Sequence, residues 1–322
     1  MISLRYHIVS LVAVFLALAL GIVVGSTVLQ EGTVSVLRAT SERVRLESDR
    51  NSRENVALKQ EQARLQSFGA SVLPELVQGR LKDRPVVLVD TDKVDSGLRD
   101  RVREVLEDAG AEVDGQITFA DERLALGADA DRTAMARVLA VDAGAPEVLR
   151  GELVKKLAER LATPAAMPRD DKQRASDMLT GLQDADFLAD MKLTRPVTAG
   201  TDPFPRQGSS FVLLGPSPAA APTAVAPDAF LVPLAEQVSS RATGAVAGAE
   251  AAAVPDPNSW VLALRNNRPV SRRVSGIDSV DTVYGRLSLV QALQTSLQQG
   301  PAGQYGIKDG ASGLLPERTE GS

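Results

Sequence analysis

No cysteine occurs among the 322 residues, and the single histidine is His7. The first absence excludes disulfides, thiolate zinc sites and thiol nucleophiles. The second excludes a histidine-dependent triad or a multi-imidazole metal site beyond the first few residues. The five methionines (Met1, Met135, Met167, Met178 and Met191) never fall at Met-x-Met or Met-x-x-Met spacing, so no run clusters thioether donors for a soft metal. Aromatic residues make up only 3%. That is too few for the two girdles of a membrane β-barrel, and no repeated ten-residue alternating segments occur. A net charge of −5 supplies no basic face for nucleic acid. Composition therefore predicts no catalytic, metal or cofactor-binding cluster and no nucleic-acid partner.

What the chain does have is a long apolar opening. Residues 8–29 carry no charge, and as a helix they measure about 33 Å, enough to cross a hydrocarbon core of roughly 30 Å. Signal peptides have apolar regions of about 7–15 residues followed by a small-residue cleavage site. Here the one A-x-A, Ala17 to Ala19, lies inside the run. Length thus favours an uncleaved anchor over a cleaved signal or a soluble core helix. Arg5 and the free amino group precede the run, whereas Glu31 follows it and the next base is Arg38. The positive-inside rule then predicts a single-pass cell-membrane protein, with residues 1–7 cytoplasmic, 8–29 spanning and the remainder extracytoplasmic.

After the anchor, residues 30–82 read as a coiled-coil stalk. Opposite charges alternate, and Glu42/Arg45, Glu47/Arg50, Asp49/Arg53 and Glu61/Arg64 stand three or four residues apart, where helical side chains meet. Leu37, Val44, Leu58, Leu65 and Val72 share one heptad position, interrupted only by Asn51. A polar seam residue of this kind fixes register and strand number. The partner seam is weaker: Val34, Ser41, Ser48, Asn55, Gln62, Gly69 and Leu76. Upstream, Gly21-x-x-x-Gly25 has the spacing that lets two membrane helices approach closely. Together these features predict a parallel homodimer; the alternative is a solvated amphipathic helix lying on its own domain.

Arg84-Pro85 closes the stalk, and residues 83–300 read as a three-layer, Rossmann-like α/β domain. The apolar run 86–90 suits a strand buried on both faces. Ser96 caps a helical pattern in which Leu98, Val102, Val105, Leu106 and Ala109 share a face and which Gly110 ends. "AEVDGQITF" follows as a second strand, giving a βαβ-like start. Further helical patterns cover 147–162, 170–189 and 281–299, and "FVLLG" at 211–215 is another strand. Within 196–227, Pro, Ala and Gly predominate, predicting a long surface loop or hinge rather than a domain boundary.

Neither G-x-G-x-x-G nor Walker A nor G-x-S-x-G occurs. Asp90 and Asp92 do stand at the carboxyl end of the first strand, where open α/β sheets place ligands. "VVLVDTDKV" resembles the first motif of haloacid-dehalogenase-type phosphotransferases, which implies a magnesium-dependent phosphatase with one Asp as nucleophile and the next as acid/base. "GIDSVD" at 276–281 is a loose candidate for the companion metal-binding pair. The plainer reading is an acidic turn capping the next helix, and a non-enzymatic chain is the expectation.

Both ends carry a wider resemblance. "MISLRYHIVSLVAVFLALALGIVVGS" and "VDTVYGRLSLVQALQTSLQQGPAGQYGIKDGASGLLPE" resemble the actinobacterial family of mycobacterial copper transport protein B. The family's closing motif often reads Gly-His-Tyr-Gly; here Gln304 stands between Gly303 and Tyr305, removing the one external imidazole. The resemblance implies a role in copper efflux or resistance, with an outer-envelope location as the alternative placement. It also implies a second role, seen in related members: a coiled-coil scaffold or regulator of a peptidoglycan hydrolase, a cell-wall or divisome partner, in cell separation. In the tail, 301–322, either Tyr305 and Ile307 are packing anchors against the domain, or Tyr305 and Gly306 belong to a partner-binding loop.

Overall fold

The computed structural model describes residues 4–168, 170, 177–194, 198, 201–216, 223–251 and 259–316. The chain divides into two compact units, Met1–Leu65 and Gln66–Ser322. Helix α1 (Leu4–Val77) supplies the first unit and contributes its last turns to the second. Its segment Tyr6–Gly25 is long and apolar enough to cross a membrane, with mean hydropathy 2.9 and none of it buried. Near its end Pro74 removes one backbone donor, and the helix stops three residues later. Leu73, Val77 and the following Leu81 are buried in the second unit.

The second unit is mixed α/β, built on a seven-stranded sheet. Its strands are β1 (Pro85–Thr91), β2 (Glu112–Phe119), β3 (Leu188–Leu193), β4 (Ser210–Leu214), β5 (Val246–Ala249), β6 (Ser275–Ile277) and β7 (Gln304–Tyr305). They lie in the order β3-β2-β1-β4-β5-β6-β7. All neighbours are parallel except β2 and β3. β1 shows why the sheet is covered on both faces. Val87 and Val89 belong to one buried cluster, while Val86 and Leu88, pointing the opposite way, belong to another.

Helices supply the rest of both clusters. With Val86 and Leu88 pack α2 (Ser96–Asp108), α10 (Val283–Leu297) and the end of α1. Gly69 of α1 lies so close to Val283 that a Cβ there would stand 3.0 Å from a valine methyl. On the other cluster lie α3 (Asp121–Leu124), α4 (Asp129–Leu139), α5 (Pro146–Ala162), α6 (Met178–Asp184), α7 (Leu231–Ser239), α8 (Trp260–Asn266) and α9 (Arg268–Ser271). Trp260 is fully buried against β4 and β5 because neither Gly215 nor Gly248 has a side chain; a Cβ at Gly248 would sit 2.4 Å from its ring.

Several local expectations shift. Asp95, not Ser96, caps α2: its Oδ1 accepts from the Leu98 N–H at 2.9 Å. Of the helical pattern expected at 170–189, the described residues hold α6, which Asp177 caps and which ends before Asp186, at φ +59; residues 171–176 lie outside the described residues. The chain then turns into β3, antiparallel to β2. The Pro/Ala/Gly-rich stretch 196–227 contains β4; residues 217–222 lie outside the described residues.

Candidate functional site

The residues singled out in the sequence fall in three places. Gly21 and Gly25 lie on the apolar part of α1, and a Cβ at either would meet nothing within 4 Å, so among the described residues nothing packs on the small-residue face. Val44, Leu58 and Leu65 follow on the same helix, each more than 60% or near 60% exposed. Val72 is half-buried, one residue before the core position Leu73. The side chain of Leu37 lies outside the described residues. Leu46, Val56 and Phe68 are exposed as well. An aliphatic row of this kind leaves considerable apolar surface in water.

Tyr305 and Gly306 are in the second unit, on the sheet itself. Tyr305 ends β7, is buried, and packs in the same cluster as Val86 and Leu88. Gly306 has φ +134, and a Cβ there would lie 1.9 Å from Oδ1 of Asp278. Glycine is required because the backbone turns over that carboxylate. Beyond the turn, the N–H groups of Ile307 and Lys308 donate to Asp278 at 2.8 and 2.9 Å. Arg265 of α8 donates to Asp278 at 2.8 Å and to the carbonyls of Tyr305, Lys308 and Asp309. Burial pushes the Asp278 carboxyl up, but the donors from Ile307, Ser279, Lys308 and Arg265 outweigh it and hold its pKa below the usual value.

A second buried pair lies beside the first. The Lys308 ammonium bonds to Glu250, just past β5, and Glu250 also accepts from the Ser259 hydroxyl and the Trp260 N–H. Both charged side chains are at most 5% exposed. Burial raises the Glu250 pKa and Lys308 only partly offsets it. Gln304 turns its amide inward, donating to the carbonyls of Ser271 and Val274. Position 304 therefore meets two backbone acceptors. Sequence reasoning reached Asp278 only as part of a loose metal-binding candidate and missed Glu250, Arg265 and Lys308; the one available signal for these was a lysine inside a Gly-rich tail.

Asp90 and Asp92 occupy different environments. Asp90 is fully buried, paired with Arg99 at 2.9 Å and bonded to Gln116 at 3.0 Å. Burial drives its pKa up to about 6 despite Thr118 and Arg99. Asp92 is exposed and accepts from the Asp121 N–H at 3.2 Å. Of the loose companion pair, Asp278 is already bound to Arg265 and the tail. Among the described residues, no group of three or more Asp, Glu or His side chains is placed to hold a metal ion.

Against known proteins, the model of the family described as "Copper transport outer membrane protein, MctB" matches residues 1–316. The chain belongs to the MctB family. It is similar to MctB-family proteins named copper transporter MctB in Mycobacterium tuberculosis strain H37Rv, at 25% identity over 319 residues, covering 97% of this chain and 98% of the relative. The Mycobacterium leprae protein of the same name is 27% identical over 337 residues, with 98% and 99% covered. The MctB-family match takes in the apolar helix, the sheet and the docked tail together.

Proposed function

We propose that this chain is a membrane-anchored, non-enzymatic envelope protein that serves copper efflux or resistance without itself ligating or conducting copper. The observation that carries the reading is the family match over residues 1–316, under a description that names copper transport. The chemistry of the sequence sets the manner. With no thiol and one imidazole at His7, the external part has few of the soft donors that copper favours. The apolar helix serves as a single-pass anchor in the cell membrane with a cytoplasmic N-terminus, and the exposed seam pairs two copies as a parallel coiled-coil stalk. The outer envelope named in the family description is the alternative location. Beyond the stalk we read the sheet and its helices as a three-layer, Rossmann-like domain that recognises partners.

Cells lacking the chain are expected to lose copper tolerance and to regain it with the full chain. The purified full chain in liposomes is expected to pass no copper-selective flux. Unchanged tolerance would remove the copper role, and flux from the chain alone would replace the indirect mechanism with direct conduction. A second reading draws on the exposed row Val44, Leu58 and Leu65: a scaffold that engages a peptidoglycan hydrolase. Wall-hydrolysing activity that co-purifies with the full chain, and is lost when Leu58 and Leu65 are both changed to Asp, supports it. Recovery independent of those residues counts against it. A phosphatase using Asp90 and Asp92 predicts magnesium-dependent phosphoester turnover; we expect none.

A further inference from the structure

A cavity of about 570 Å³ opens where the end of α4 meets α5 and α6, within the size range of small-molecule sites. Its apolar lining comes from Ala134, Val138, Leu139 and Met178, with Gly181 and Ala185 leaving room. Arg137, Lys156 and Arg160 face it together with Asp177 and Asp184. The hydrogen-bond inventory of these five is unbalanced. Asp177 is already well occupied: one oxygen accepts from Arg160 at 3.0 Å, the other from the N–H and hydroxyl of Thr180. Asp184 is already engaged.

The donors are not used up. Lys156 gives one N–H to the Leu139 carbonyl, leaving two. Arg160 gives Nη1 to the Phe204 carbonyl at 2.6 Å, but among the described residues its Nη2 meets only the Met167 thioether at 3.9 Å, a weak acceptor. The Arg137 side chain, in the last turn of α4, has no hydrogen bond or ion pair among the described residues. Surplus cationic donors over an apolar floor suit an anion with an apolar body. They suit a carboxylate better than phosphate, whose larger hydration would be lost against Val138 and Met178.

We propose that this cavity binds a small organic carboxylate carrying a short apolar group, its oxygens on Lys156, Arg137 and the Arg160 Nη2, and its apolar end on Val138 and Met178. The test uses the full chain in detergent with isotopically labelled methionine methyls, since Met178 lines the cavity and Met1 does not. N-acetyl-leucine is the probe, with its neutral amide and inorganic phosphate as controls. The Met178 signal is expected to shift saturably with N-acetyl-leucine alone, and Met1 to stay put. Lys156→Ala with Arg137→Ala should weaken binding about tenfold or more, and Ala185→Trp, which fills the cavity but keeps the cations, should abolish it. Folding is checked by the buried Met135 signal; if the double variant moves it, the exposed Arg137→Ala alone decides, by weakening binding or not. The proposal is overturned by no Met178 shift, an equal response to the amide, a response to phosphate alone, or undiminished binding in the variants.

Discussion

Gly306 ties the tail to the sheet through one backbone conformation. Any side chain there meets both an unfavourable φ and the Asp278 carboxylate. Gly306→Ala is expected to cost about 2 kcal/mol or more, read as a fall in the denaturation midpoint. The carboxylates respond to pH in opposite senses. Asp278, held below its usual 3.8, stabilises the fold above that value and loses the effect as pH falls through its folded pKa. Asp90 runs the other way. With its pKa raised from 3.8 to about 6, the folded state binds the extra proton, so its stability declines as pH rises from about 4 to 6. Asp90→Asn should remove that decline while leaving stability at pH 8 equal or greater; equilibrium unfolding across this range measures it. A steeper loss at pH 8 would show that the Arg99 pair outweighs burial.

Elements follow the same logic with longer reach. Along α1, position 58 lies on the apolar seam and position 56 on the opposite side of the heptad. Because the chain has no cysteine, one introduced thiol reports pairing without interference. Leu58→Cys is expected to form a disulfide-linked dimer in membranes under mild oxidation, and Val56→Cys to remain monomeric. Equal crosslinking at both would deny the paired seam. In the tail, Tyr305 is a buried side chain of a two-residue strand. Tyr305→Ala should therefore lower thermal stability by about 3 kcal/mol, as large-to-small core changes do. A cooperative, unshifted melt would place Tyr305 in recognition instead.

For the molecule as a whole, the apolar segment Tyr6–Gly25, long and apolar enough to cross a membrane, is expected to determine partitioning. The full chain should stay with membranes through alkaline extraction. Deleting residues 2–29 should move it to the soluble fraction, with the melting of Gln66–Ser322 little changed, because the core clusters begin at Leu73. Persistent membrane association after the deletion would assign attachment to another surface. Membrane attachment is thus expected to rest on one local segment, whereas the stability of the second unit rests on two clusters assembled from distant parts of the chain.

The sequence by itself determined what depends on composition and near neighbours. These are the apolar N-terminal helix, the charged helix after it, the run β1–α2–β2, and the scarcity of thiol and imidazole donors. Each is a local property, set by uninterrupted apolarity or by a period of two or 3.6 residues. Tertiary structure alone decided the far side of the sheet. β5 reads Val-Ala-Gly-Ala and β6 Ser-Gly-Ile, too short and too small-residued to announce strands, and they are strands because parallel neighbours complete their ladders. The pairing of Lys308 with Glu250, and of Arg265 with Asp278, joins residues 58 and 13 positions apart. No local pattern predicts it, because a buried charge is tolerable only when folding delivers its partner.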